Sequence, residues 1–230
     1  MPGSLPIVWN ELELELFPQR AVHWPAQRTL IIADAHFGKA AAFRHHGVPV
    51  PAGTTQADLD RLRHLLANTR SERLIILGDF FHARAGRSES TMHSITQWRL
   101  DHCDLEILLV RGNHDLHAGD PPPEWNFRCV EEPFETHGVI LAHDPNHPSL
   151  HSTKLPALAG HVHPCAMLRD PNGSGMRTAC FHFRRMIAVL PAFGSFTGAH
   201  PITARQGERI FAIGPDRVVE VSTRSPATAR

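Results

Sequence analysis

Leu105-Glu-Ile-Leu-Leu-Val110, followed at once by Arg111-Gly-Asn-His-Asp115, is the stretch on which the reading of this chain turns. The first six residues make an apolar run suited to a buried strand, and the next five set a glycine among polar groups. A strand that stops in this way fits the carboxyl edge of an α/β sheet, where sites are built. Four other runs end in the same manner. Thr29-Leu-Ile-Ile-Ala33 gives way to Asp34-Ala-His36, and Arg73-Leu-Ile-Ile-Leu77 to Gly78-Asp79. Val139-Ile-Leu-Ala142 gives way to His143, and Ala157–Ala159 to Gly160-His-Val-His163.

Glu11-Leu-Glu-Leu-Glu-Leu-Phe17 alternates as a half-exposed strand does, and Pro18-Gln19 turns it into Ala21–Trp24. A helix through Ala40–Phe43 is predicted to close at Gly47, before Pro49 and Pro51. Thr54 or Thr55 is expected to cap a second helix with an apolar face of Leu59, Leu62, Leu65 and Leu66. A third helix is predicted over about 88–102, and the prolines 121–123 mark a loop. This β-α-β-α-β order implies parallel strands with right-handed crossovers.

The second half reads differently. Short strands are predicted at 127–130, 134–136, 139–142, 157–159, 179–183, 186–190 and 208–213, with a hairpin at Gly214-Pro215-Asp216 into Val218–Val221. They imply an antiparallel or mixed second sheet. One domain is expected over residues 1–221, and the tail 222–230, which lacks an apolar pattern, is expected to fray.

Lys and Arg number 23 and Asp and Glu 23, so net charge gives no argument for a polyanionic partner, although local patches could. Histidine stands out at 18 residues, which points weakly to metal or proton chemistry. Cys103, Cys129, Cys165 and Cys180 are too scattered for a zinc ribbon or a disulfide framework, and fit a reducing compartment. With no secretory signal and no apolar stretch of membrane-spanning length, a cytoplasmic protein is expected.

Singly, each motif is more often an ordinary strand-to-loop junction, and His147 and His151 rival His143. Jointly, carboxylates, an amide and imidazoles from separate strand ends are what two adjacent divalent ions need. Thiolates are absent from the set, which disfavours structural zinc.

The order Asp34-Ala-His36, Gly78-Asp79, Gly112-Asn113-His114-Asp115, His143, Gly160-His161-Val162-His163 resembles the calcineurin-like binuclear metallophosphoesterase superfamily. The resemblance implies a four-layer α/β/β/α sandwich, with two mixed β-sheets flanked by helices. It implies one metal ion held by Asp34, His36, Asp79 and His163, and a second shared through Asp79 and held by Asn113, His143 and His161. His114 would contact the scissile phosphate and assist the leaving oxygen. Two such ions, roughly 3.5–4 Å apart, lower the pKa of a shared water from ~15.7 towards ~7, supplying hydroxide for in-line attack on phosphorus. Carboxylate, amide and imidazole donors favour Mn²⁺, with Fe or Zn as alternatives.

His82 stands where many phosphatases of the superfamily carry an Asp that pairs with the catalytic histidine, and Gly78-Asp-Phe-Phe-His82 is similar to a pattern of its DNA repair nucleases. Asp144 follows His143 where a glycine is frequent. Asp79–Arg87, Gly160–Pro164 and Leu190-Pro-Ala-Phe-Gly194 resemble the bacterial ligase-associated DNA damage response endonucleases. Those are similar to manganese-dependent nucleases of single-stranded DNA, associated with a helicase, a ligase and an exonuclease. An endonuclease preferring single-stranded DNA, acting in DNA repair, is therefore expected. A small-molecule phosphodiesterase or nucleotide pyrophosphatase is the alternative, and a non-catalytic scaffold is disfavoured because every ligand position is filled. His82, Arg84, Arg87 and Arg111 are the expected substrate contacts, with Lys39 and Arg44 nearby. Phe37, Phe80, Phe81 and Phe196 are candidates for base stacking, though such phenylalanines are more often core.

Overall fold

Alternate residues of the three central strands enter different layers. In Thr29–Ala33, Arg73–Leu77 and Glu106–Val110, residues Leu30, Ile32, Leu74, Ile76, Ile107 and Leu109 pack with helix residues. Ile31, Ala33, Ile75, Leu77, Leu108 and Val110 pack against a second sheet instead. This period of two carries the apolar runs into two cores, one on each face.

The computed structural model describes residues 3–169 and 175–221, so the tail expected to fray, 222–230, lies outside the described residues. The first sheet has seven strands in chain order: β1 (Leu5–Trp9), β2 (Leu12–Phe17), β3 (Ala21–Trp24), β4 (Thr29–Ala33), β5 (Arg73–Leu77), β6 (Glu106–Val110) and β7 (Phe127–Val130). Pairing is antiparallel from β1 to β4 and parallel from β4 to β7. The helices α1 (Lys39–His45), α2 (Thr54–Thr69), α3 (Glu89–Asp101) and α4 (Asn113–Ala118) occupy the crossovers. Leu59, Leu62, Leu65 and Leu66 of α2 bury the stripe expected of them, each worth about 2 kcal/mol of transfer free energy.

The second sheet holds nine strands: β8 (Phe134–Thr136), β9 (Val139–Leu141), β10 (Ala157–Ala159), β11 (Pro164–Arg169), β12 (Gly175–Phe183), β13 (Ile187–Val189), β14 (His200–Pro201), β15 (Arg209–Ile213) and β16 (Val218–Val221). Both sheets are mixed and pack face to face, as expected. The outermost layer on the second sheet is thin. Among the described residues no α-helix follows α4, and Leu150, in a 3₁₀ turn over Pro148–His151, covers Ile140, Ala142, Ala157 and Ala159.

Several local expectations are corrected. Phe127–Val130 belongs to the first sheet, parallel to β6, rather than to the second. Neither Thr54 nor Thr55 caps α2; Gly53, at φ 89°, stands at the cap, and Thr55 Oγ1 accepts the Gly38 amide at 3.3 Å. β1 was hidden by Pro6, which the sheet tolerates because β1 is an edge strand. At the edge remote from the carboxyl ends of β4–β6, Trp9 closes the sandwich: its indole N–H donates to the Arg184 carbonyl at 3.0 Å, and its ring meets Phe183 edge-on. All four cysteines are free. No helix among the described residues is long and apolar enough to cross a membrane.

Candidate metal centre

The carboxyl ends of β4, β5 and β6 deliver Asp34–His36, Asp79 and Asn113, while loops leaving β9 and β10 deliver His143 and His161–His163. Asp34 and His36 stand two residues apart, which on an extended backbone would put both side chains on one side. The backbone does otherwise. Asp34 (φ 52°), His36 (φ 46°), Asp79 (φ 51°), His161 (φ 67°) and His163 (φ 51°) all adopt the left-handed region. Asp and His enter that region more readily than most residues, yet it still costs about 1–2 kcal/mol each, strain of the sort that gathers at functional sites. Two loops run side by side there, with the His36 amide on the Asp79 carbonyl at 2.8 Å and the Phe37 amide on the Phe80 carbonyl at 2.9 Å.

The motif glycines mark close approaches. A Cβ on Gly78 would lie 2.0 Å from His143 Nδ1, one on Gly112 2.3 Å from Asp79 Oδ1, and one on Gly160 2.7 Å from Asp34 Oδ2. Each glycine therefore makes room for a site residue delivered by a different strand end.

Two donor groups assemble. Asp34, His36 and His163 form one, and Asp79, His143 and His161 the other; within each, the donor atoms lie within 4.8 Å of one another. His36 Nε2 and His163 Nε2 are 3.3 Å apart, and His161 Nδ1 and His143 Nε2 are 3.0 Å apart. Donors about 2.1 Å from a shared ion stand about 3.0–3.4 Å from each other, so these separations fit ligands converging on a metal. Asn113 Oδ1 lies 2.9 Å from His143 Nε2. Asp34 is fully buried, and its Oδ1 accepts no hydrogen bond. A buried carboxylate oxygen left unpaired is costly unless a cation meets it, and the donor set fits divalent ions. His143, rather than His147 or His151, enters the cluster.

Burial dominates the electrostatics. It drives the His36 pKa far down, helped by Lys39 and His163, so the ring is neutral and able to ligate. Burial likewise raises the Asp79 pKa, opposed by His143. For His143 burial pulls downward, but Asp34 and Asp79 outweigh it and the net shift is upward. The His143 Nδ1 sits 3.3 Å from the Leu77 carbonyl, which orients the ring with Nε2 towards Asn113 and His161.

His114 stands beside these groups, its Nε2 3.9 Å from Asp79 Oδ2 and its amide donating to Asp79 Oδ1 at 2.9 Å. His82 stacks on it, and burial, with Lys39 and His114, lowers the His82 pKa to about 4. Ring nitrogens of His36, His82 and His114 form a third close group. Asp115, which the motif left without a role, accepts the amides of Phe80 (2.9 Å), Phe81 (3.4 Å) and Gly112 (3.0 Å), and so ties the β5 loop to the β6 loop. Glu132, missed in the sequence, accepts the amides of His143 (2.7 Å) and Asp144 (2.8 Å) through one oxygen.

The expected substrate contacts divide. Arg84 is exposed at the loop after His82. Arg87 instead donates to the carbonyls of Ala118, Gly119 and Asp120 at 3.0–3.1 Å and covers the Phe81 ring. Arg111 pairs with Asp120 at 2.7 and 2.8 Å and with Glu131 at 2.8 Å, and the Asp120 hydrogen bonds raise its pKa. Both arginines act within the fold. Arg44 donates to Pro51 at 3.0 Å. Burial lowers the Lys39 pKa, while the nearby Asp79 and Asp34 pull it back up. Phe37, Phe80 and Phe81 are core. Phe196 alone of the four reaches the surface, with its ring 5.5 Å from Phe43, whose ring in turn lies 6.1 Å from His82.

Leu190-Pro-Ala-Phe-Gly194 braces the first cluster from behind. The Phe193 amide donates to the Ala33 carbonyl at 2.7 Å and the Gly194 amide to the Asp34 carbonyl at 3.2 Å. Asp58 of α2 accepts the Ser195 amide at 3.1 Å, and Arg61 donates to the Phe193 carbonyl.

No family model matches this chain, and no curated protein matches it. Among solved structures it is similar to the Pseudomonas putida nuclease MPE, at 39% identity over 94% of this chain and 100% of that one, with a TM-score of 0.81. A protein of unknown function from Aquifex aeolicus is 19% identical over 59% of this chain and 78% of its own, with a TM-score of 0.38, too low to bear on the fold.

Proposed function

The chain belongs to the calcineurin-like metallophosphoesterase superfamily, in the branch of the bacterial ligase-associated endonucleases, and on that premise we propose that it is a metal-dependent DNA endonuclease. The observation that carries the proposal is the meeting of two Asp/His groups, each with two buried members and one nearer the surface, with His114 standing just outside them. Asp34, His36, Asp79 and His163 would hold one divalent ion, and Asp79 with Asn113, His143 and His161 would hold a second. Mn²⁺ suits the donors best. Bound there, the ions would acidify a water and offset charge on the phosphoryl oxygens.

The chain supplies the rest. His114, its Nδ1 held by the His82 carbonyl, directs Nε2 towards the site and protonates the leaving oxygen. His82 and the exposed Arg84 contact flanking phosphate, and the Phe43–Phe196 pair offers a stacking surface beside them. These contacts are few and local, which favours a flexible single strand over a broad duplex. Resemblance to the ligase-associated branch supports a role in cytoplasmic DNA repair beside a helicase, a ligase and an exonuclease.

Circular single-stranded DNA with Mn²⁺ tests this reading, because a circle offers no end. Linearisation is expected. Intact circles alongside hydrolysis of bis(p-nitrophenyl) phosphate would instead favour the small-molecule phosphodiesterase.

A further inference from the structure

Beyond the metal cluster, the second sheet and the Pro18–Arg20 turn enclose a cavity of about 470 Å³, lined among others by Gln19, Arg20, Arg61, Met176, Arg177 and Pro215. A smaller cavity of about 190 Å³ shares Arg20, Arg177, Thr178 and Ala179 with it and ends at His163. The two form one trough that starts at a proposed metal ligand and leads away across β12. Among the described residues no carboxylate side chain lines either part.

The three guanidinium groups differ in commitment. Arg61 pairs with Asp58 at 2.9 Å behind the wall, and Arg20 makes long bonds, 3.3 and 3.4 Å, to the carbonyls of Gly194 and Ala192. Arg177 is exposed on β12 with no ion pair or hydrogen bond from its side chain among the described residues. The exposed Arg177 beside Arg20, with Met176 and Pro215 as apolar surface, matches a chain that alternates phosphates with bases.

We infer that this trough is a binding track for the stretch of single-stranded DNA flanking the scissile phosphate, with Arg177 as its principal phosphate contact. The inference rests on the nuclease reading and adds to it a second arm, on the far side of the metal cluster from His82 and Arg84. His163 joins the two, its Nδ1 held by the Gly198 carbonyl at 3.2 Å in the wall of the smaller cavity.

Binding without turnover tests the track. With Mn²⁺ present and in a His114→Ala background, a labelled oligothymidylate of roughly 16 nucleotides is titrated by fluorescence anisotropy against the chain with Arg177 intact, Arg177→Glu and Arg177→Gln. Arg177→Glu should bind about tenfold more weakly, with a salt slope shallower by about one, and Arg177→Gln should lose less in the same direction. Arg70→Glu, an equal charge change at an exposed helix end, controls for net charge. Undiminished affinity in Arg177→Glu, or an equal loss in Arg70→Glu, overturns the track. The circular-DNA assay decides the nuclease reading separately. A chain that cleaves circles but binds normally without Arg177 keeps the nuclease and loses the track; one that binds through Arg177 yet leaves circles intact does the reverse.

Discussion

His114 Nδ1 sits 2.6 Å from the carbonyl oxygen of His82, and the two rings stack with centroids 4.9 Å apart. A carbonyl can only accept, so His114 Nδ1 carries a proton and Nε2 faces the site; donation to the leaving oxygen uses a second proton, held on Nε2 of the imidazolium. Many phosphatases of the superfamily use an Asp side chain at the position of His82 for this purpose; here the main chain serves. His114→Ala should lower kcat by about 10²–10⁴-fold with metal content unchanged by elemental analysis. His82→Ala keeps the carbonyl and should lose less. Loss of bound metal in His114→Ala would make that residue a ligand instead.

Glu132 holds the main chain of His143 and Asp144, accepting both amides through one oxygen. Glu132→Ala should weaken Mn²⁺ binding by about 10–100-fold, read by calorimetry, and Glu132→Gln, which keeps an acceptor, should recover part of it. Equal affinity in all three proteins would remove Glu132 from the support of the site.

Gly78 is the tightest of the motif glycines. Its φ of 75° and the 2.0 Å approach of a Cβ to the His143 ring leave no room for alanine. Gly78→Ala should cost about 3 kcal/mol or more in urea unfolding and disturb metal binding with it. A stable variant with normal metal content would mean the β5 loop yields more than its packing implies.

Acid sensitivity should arise partly far from the cluster. Burial holds the His182 pKa below its ordinary value, and Glu208, 2.9 Å away, offsets this only in part. The folded ring thus stays neutral at a pH where the unfolded one takes up a proton. Its contribution is complete above the ordinary histidine pKa and is lost as pH falls below it. Between about pH 7 and pH 5 the melting temperature of the wild type should fall more steeply than that of His182→Gln, which keeps a donor for Glu208 but does not titrate. Parallel curves would exclude His182 as a source of the acid sensitivity.

The strand ends were legible because the chemistry lies next in sequence to the apolar runs that deliver it: Asp34 after Ala33, Asp79 two residues after Leu77, His143 after Ala142. What escaped notice depends on distant partners. Arg87 and Arg111 look like phosphate contacts until Ala118–Asp120 and Glu131 take their donors. Glu132 has no local signal, since its partners are eleven and twelve residues on. Asp115 could have been found, because an acid three residues after Gly112 is the spacing that closes a helix start. Phe80 and Phe81 follow Asp79 directly, and only the packing of α3 and Trp125 shows them to be core. β7 went to the other sheet because a run as short as Phe127–Val130 does not announce its neighbour.

Asp34, His36, Asp79 and Asn113 come from one sheet, and His143, His161 and His163 from the other. An ion seated between them is therefore a rivet through both layers, placed at one margin of the sandwich, while Trp9 and Arg184 fasten the opposite margin without metal. Withdrawing the ions would leave the active margin joined only by hydrogen bonds such as Phe193 to Ala33 and His161 to Asp34, with Asp34 and Asp79 repelling each other within the first sheet. The sandwich should then gape like a book from its active margin before the spine gives way, so that amide exchange on demetallation rises first around Asp34, Asp79 and His161 and last around Trp9.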